Sequence, residues 1–201
     1  MPIHQRSIAD YPIISERERH QLLSEQCRGP VVPDNLEHCV HRLFSDVVAR
    51  TPNQIAVRHR HQQLSYQQLD ERACQFARWL QSQGVGRGAI VGLVTDRSLN
   101  MMVALFGILK AGAAWLPIDP ANPDERIKYM LNNAHVSLVL LGENVQLACQ
   151  QPCFALEDID SCLADFSRAP LLCLNVPDDL MYVIYTSGFH RSAERGDGQP
   201  P

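Results

Sequence analysis

Thr186-Ser187-Gly188 are the residues of this 201-residue chain whose types and order best suit chemistry. They stand directly after Leu180-Met181-Tyr182-Val183-Ile184-Tyr185, an apolar run of the length of a buried strand. Two hydroxyls and a glycine at the end of such a strand begin a loop for anionic oxygens. Main-chain N–H groups and short hydroxyls converge on phosphate there, and glycine lets the backbone approach closely. The same three residues also read as an ordinary polar turn with its glycine at positive φ. The following residues, Phe189 to Pro201, do not continue a phosphate loop: they lack apolar periodicity and read as disordered.

Other groups promise less. The seven cysteines, Cys27, Cys39, Cys74, Cys149, Cys153, Cys162 and Cys173, are odd in number and lack the paired spacing of a disulfide framework, so free thiols are expected. Cys149 and Cys153 would be neighbours if they shared a helix, and His38, Cys39 and His41 cluster in sequence. Neither group has a second half at zinc-site spacing, so buried or surface side chains and no metal are expected. Gly84-Val85-Gly86-Arg87-Gly88 imitates a dinucleotide fingerprint, but it closes a helix and opens a strand, the reverse of what that fingerprint needs. Gly84 is expected to cap the helix instead.

The elements that would position Thr186 alternate in type. Helices are expected over 16–26 and, after a Gly29-Pro30 and Pro33 linker, over 36–50, with Val40, Leu43, Phe44, Val47 and Val48 on one face. A short strand over 55–58 leads to a solvated turn at 59–62. Ser65 with Gln68 predicts a capping box opening a helix to about Gln83, with Leu69, Ala73, Phe76, Ala77 and Leu80 inward. A strand over 89–95 follows, then Ser98 capping a helix over 99–110, and a strand from Trp115 reached through Ala111-Gly112-Ala113-Ala114. Asn122-Pro123-Asp124-Glu125 predicts an N-cap, a proline at the first helical position and a capping-box glutamate, with the helix ending near Asn133. Strands over 137–141, 153–156 and 182–185 complete an α/β fold, a mostly parallel sheet covered by helices. If that sheet stops partway, an uncovered face and an unpaired edge are expected.

Composition narrows the function classes. At 45% hydrophobic and 20% charged the chain is of globular composition. A net charge of −4 gives no reason to expect nucleic acid or an anionic membrane as partner. No apolar run is long enough to span a bilayer, and Met1 to Asp10 has no signal-peptide core, so the expected location is cytoplasmic.

Three segments carry a resemblance. Leu64-Ser65-Tyr66-Gln67-Gln68-Leu69, then Leu109-Lys110-Ala111-Gly112-Ala113-Ala114-Trp115-Leu116-Pro117-Ile118-Asp119, then Tyr185-Thr186-Ser187-Gly188 resemble, in order, signatures of the amino-acid adenylation domains of nonribosomal peptide synthetases. Gln68 stands where the family has glutamate. The leader Asp10 to Leu23 is similar to the segment joining a condensation domain to an adenylation domain. The resemblance implies a leader at 1–35, a partial AMP-binding domain of the N-terminal subdomain at 36–188, and a tail at 189–201. It further implies a parent reaction in which ATP and Mg2+ activate an amino acid as aminoacyl adenylate, which is then passed to a phosphopantetheinyl carrier protein. Thr186, Ser187 and Gly188 would begin the ATP phosphate loop. No catalytic or metal-binding residue of the family is matched, so the chain is expected to be an inactive, truncated piece. The alternatives are a non-catalytic fragment that docks to a condensation domain and a small nucleotide-binding module.

Codons permitted for Phe189 to Pro201, with the first base dropped, regroup to Ser-Thr-Gly-Gln-Pro-Lys-Gly-Val-Met-Val-Ser-His. That resembles the missing half of the loop, so the tail is expected to be the product of a one-base frameshift, in the gene or in its sequencing, followed by an early stop.

Overall fold

A computed structural model describes residues 14–26 and 38–186. The chain divides into two units, Met1–Leu36 and Glu37–Pro201. In the first, helix α1 (Glu16–His20) is opened by a capping box: the Ser15 hydroxyl accepts from the Glu18 amide, and Glu18 Oε2 accepts from the Ser15 amide at 2.8 Å. The expected α-helix to Gln26 holds only to His20, after which the turns widen into a π-helix over Gln21–Gln26.

In the second unit, helix α2 (Val40–Arg50) starts later than expected, with Cys39 in extended backbone as its N-cap. The expected start at Leu36 lies outside the described residues. Val40 turns outward at 46% exposure, so the apolar face is narrower than predicted, and Phe44 carries it by stacking on Phe106 at 4.0 Å. Strands β1 (Ile55–His59) and β2 (Gln62–Ser65) pair as an antiparallel hairpin turned at Arg60, whose φ is 53°. Helix α3 (Tyr66–Ser82) begins with the predicted box: Gln68 N–H donates to Ser65 Oγ at 3.2 Å and Ser65 N–H to Gln68 Oε1 at 2.9 Å. Its five predicted inward residues are all buried. It ends with Gly84 at φ 81°, where Val85 N–H reaches Leu80 O and Gly84 N–H reaches Gln81 O. This is a Schellman closure, and it removes the dinucleotide reading of the glycines.

The main sheet has the order β4-β3-β5-β6, all parallel, with β3 at Ile90–Val94, β4 at Ala114–Ile118, β5 at Leu138–Leu141 and β6 at Cys153–Ala155. Helix α4 (Leu99–Ala111) carries β3 to β4, and helix α5 (Asp124–Asn133) carries β4 back across β3 to β5. Two right-handed crossovers running in opposite senses place their helices on opposite faces. Alternation along the strands fits this arrangement: Val91, Leu93, Leu138 and Leu140 belong to one core with α3, α4 and the short helix α6 (Ile159–Leu163). Val94, Leu116, Ile118 and Val139 join Ile127, Met130 and Leu131 of α5 in the other. Both faces of the sheet are therefore covered, contrary to the expectation of a bare one.

Helix α5 departs from prediction at its start. Asn122 is not the cap: its Nδ2 donates to Asp119 O at 2.9 Å, in a turn where Asp119 Oδ1 also accepts the Ala121 amide at 2.8 Å. Pro123 becomes the N-cap, with no side-chain cap bond, and no capping box forms at Glu125. The predicted strand over 182–185 is reduced to one parallel bridge, Tyr182 to Trp115. Val183 and Tyr185 pack on the second core, while Tyr182 and Ile184 stay 46% and 59% exposed, so this segment is buried on one side only. Among the described residues no helix is long and apolar enough to cross a membrane.

Candidate functional site

In an open parallel sheet, ligands bind outside the carboxyl ends of the strands, where connections leave in opposite directions. Here β3 sends its chain toward β4 and β5 sends its chain toward β6, so the crevice falls between the ends of β3 and β5. A cavity of about 640 Å³ opens there, bordered by Asp96, Asp119, Pro120, Glu143, Asn144 and others, and one of about 320 Å³ adjoins it along Thr95, Arg97, Trp115 and Pro117. Asp96, Asp119 and Glu143 are exposed carboxylates, with Arg97 the cation beside them. Sequence reasoning did not single these groups out for binding: each follows a different strand, and only the sheet order brings them together.

Gly142 lets the chain leaving β5 pass close to the end of β3. Its N–H donates to Val94 O at 2.8 Å, and a Cβ there would stand 2.3 Å from Thr95 Oγ1 and 2.9 Å from Thr95 Cα. Backbone would have to move. Gly142→Ala is therefore expected to cost about 1–3 kcal/mol, a fall in Tm of roughly 3–10 °C in a thermal melt. Gly86→Ala, where a Cβ meets nothing within 4 Å, serves as the neutral control.

Thr186, the first of the predicted phosphate-loop residues, is exposed, and Ser187 and Gly188 lie outside the described residues. Its segment is fastened to the outer edge of β4: Trp115 N–H donates to Met181 O at 3.1 Å and Val183 N–H to Trp115 O at 3.0 Å. The bridge is parallel, so the chain here runs in the same sense as β4. Upstream, the Arg87 guanidinium grips Asp179 through two bonds of 2.9 Å, and Asp179 also accepts the Val176 amide. Those bonds hold the Asp179 carboxyl below the usual carboxylate range. Tyr185 OH donates to Asn133 of α5, and its ring meets Tyr129 edge-on at 6.4 Å.

The cysteines among the described residues are free thiols, as expected. Cys149 and Cys153 do not share a helix, yet their sulfurs come within 3.3 Å in the turn before and at the start of β6. Burial and then the Cys149 neighbour push the Cys153 thiol up to about 11. Cys39 and His41 do gain a third partner, Cys173, which lies 132 residues beyond His41.

This sheet order, with helices on both faces and a crevice at the carboxyl ends of its strands, defines an open, doubly wound α/β class of fold. Residues 44–188 match the AMP-binding enzyme family, and the chain belongs to that family. Within it, the chain is similar to nonribosomal peptide synthetases. It is 41% identical to tyrocidine synthase 2 of Brevibacillus parabrevis over 90% of its own length and 5% of that protein's. It is 34% identical to gramicidin S synthase 2 of Brevibacillus brevis over 90% of its length and 4% of that protein's. The crystal structure of the nonribosomal peptide synthetase FmoA3 (S1046A) in its AMPPNP-bound form superposes with a TM-score of 0.74 at 31% identity, over 86% of this chain and 18% of that one. The chain thus spans a small fraction of the proteins it matches, and its fold is that of part of the N-terminal subdomain of an adenylation domain.

Proposed function

We propose that residues 36–188 are part of an adenylation domain whose parent reaction activates an amino acid with ATP and Mg2+, releases pyrophosphate, and loads a phosphopantetheinyl carrier protein in the cytoplasm. Residues 1–35 are its leader toward an upstream condensation domain, and 189–201 are the product of a shifted frame. Thr186, Ser187 and Gly188 begin the phosphate loop. The observation that carries this reading is the family match over 44–188, which ends at the loop glycine.

The 201 residues do not catalyse that reaction by themselves. A triphosphate needs cations and converging N–H donors to stabilise the charge that develops in transfer. The chain has two lysines, and both are engaged elsewhere: Lys110 with Asp70 at 2.9 Å and Lys128 with Glu125 at 3.5 Å. The crevice offers three carboxylates against Arg97, which supports the reading that a nucleotide triphosphate is not held there unaided. Purified chain is expected to give no amino-acid-dependent pyrophosphate exchange with any proteinogenic amino acid. Robust exchange dependent on the chain would overturn this reading.

A further inference from the structure

We propose that Cys39, His41 and Cys173 bind a single divalent cation of the zinc class. Their sulfurs and ring nitrogen all lie within 4.8 Å of one another, and His41 Nε2 is 2.8 Å from Cys173 Sγ. Cys39 and His41 come from the amino end of α2, whereas Cys173 comes from an irregular segment after α6. His41 is 6% exposed, so its ring is fixed, while Cys173 is exposed and free to adjust.

Two sulfurs and one imidazole nitrogen are a donor set for tetrahedral Zn2+. At ordinary Zn–S and Zn–N lengths the sulfur and nitrogen stand about 3.6 Å apart, so the His41–Cys173 contact must open by less than about 1 Å. Both thiols now donate to the same acceptor, Asn175 O, at 3.5 Å each. Metal binding replaces those two bonds. Each S–H bond breaks and a sulfur–metal bond forms, two protons pass to solvent, neutral imidazole donates its lone pair, and nothing is oxidised or reduced. Asn175 O or a water fills the fourth position. The bound cation would clamp the segment around Cys173 to the start of α2, a role separate from nucleotide chemistry and not dependent on it.

The test uses the full chain, reduced and metal-free, titrated with Co2+ as the spectroscopic probe and then with Zn2+. One equivalent of Co2+ is expected to produce the thiolate charge-transfer band and the visible bands of tetrahedral cobalt, and Zn2+ should displace them and raise Tm. Cys173→Ser, at an exposed position, should weaken binding by at least ~100-fold with an unchanged far-ultraviolet spectrum, and His41→Gln should do the same. The double variant Cys149→Ser/Cys153→Ser should bind as the parent does. The proposal is overturned by the absence of tetrahedral bands at one equivalent, by bands that survive Cys173→Ser, by bands lost with Cys149 and Cys153, or by a Cys39–Cys173 disulfide that forms in place of metal binding.

Discussion

Replacing Lys110 with methionine is expected to cost about 3–5 kcal/mol of stability, the range found when one partner of a buried ion pair is removed. Lys110 sits near the end of α4 with its side chain 5% exposed, and its Nζ lies 2.9 Å from Asp70 Oδ1 on α3 and 3.3 Å from Ser45 Oγ on α2. It thus ties together three helices of one face. Methionine fills the volume of the lysine stem, so the loss comes from charge: Asp70, 13% exposed, is left without its cation. The double variant Lys110→Met/Asp70→Leu should recover most of the loss, because two apolar groups need no solvation. Urea denaturation of the parent, both single variants and the double closes the cycle. A single-variant loss below about 1 kcal/mol would mean that water already reaches Asp70.

The other large effect is expected at the level of the gene. Removing one base at the codon for Phe189 should open a frame reading Ser-Thr-Gly-x-Pro-Lys-Gly directly after Gly188 and continuing beyond position 201. The tail's own residues motivate this, since every one of Phe189 to Pro201 has a codon compatible with that second reading. A protein made from the corrected frame regains the loop's N–H donors and a lysine. Its pyrophosphate exchange should rise from none to a rate at least ~10²-fold above background, the scale of a single positioned charge-stabilising group. Genomic DNA that encodes no such loop in any frame after Gly188 would refute the shift.

Features set within a few residues were legible in the sequence. Ser65 with Gln68, Ser98 before α4 and Gly84 after α3 each satisfy helix-end groups from their own neighbourhood, so type and spacing suffice. Asn122 shows the limit of that logic. It has the right residue type for a cap, but Asp119 three residues earlier offers a carbonyl that its amide takes instead. The apolar run at 180–185 foretold a strand, yet apolar content cannot say how many neighbours will pair with it, and one bridge to Trp115 formed. The crevice, the Lys110–Asp70 pair and the meeting of Cys173 with His41 depend on strand order and helix packing, which bring together residues with no local signal of each other. Motif order thus carries the nucleotide signal along the chain, whereas the three cation ligands meet only in the folded domain.

The engagement of Lys110 has a practical corollary in labelling chemistry. An amine-specific acylating reagent finds only two lysine side chains in this sequence, and they differ sharply in accessibility: Lys128 lies on α5 at 35% exposure, Lys110 at 5%. In the native state the reagent should mark Lys128 and leave Lys110 untouched. Modification of Lys110 then requires that α3 and α4 separate, so a mass-spectrometric pulse that follows this one amine records how often the helical face of the domain opens.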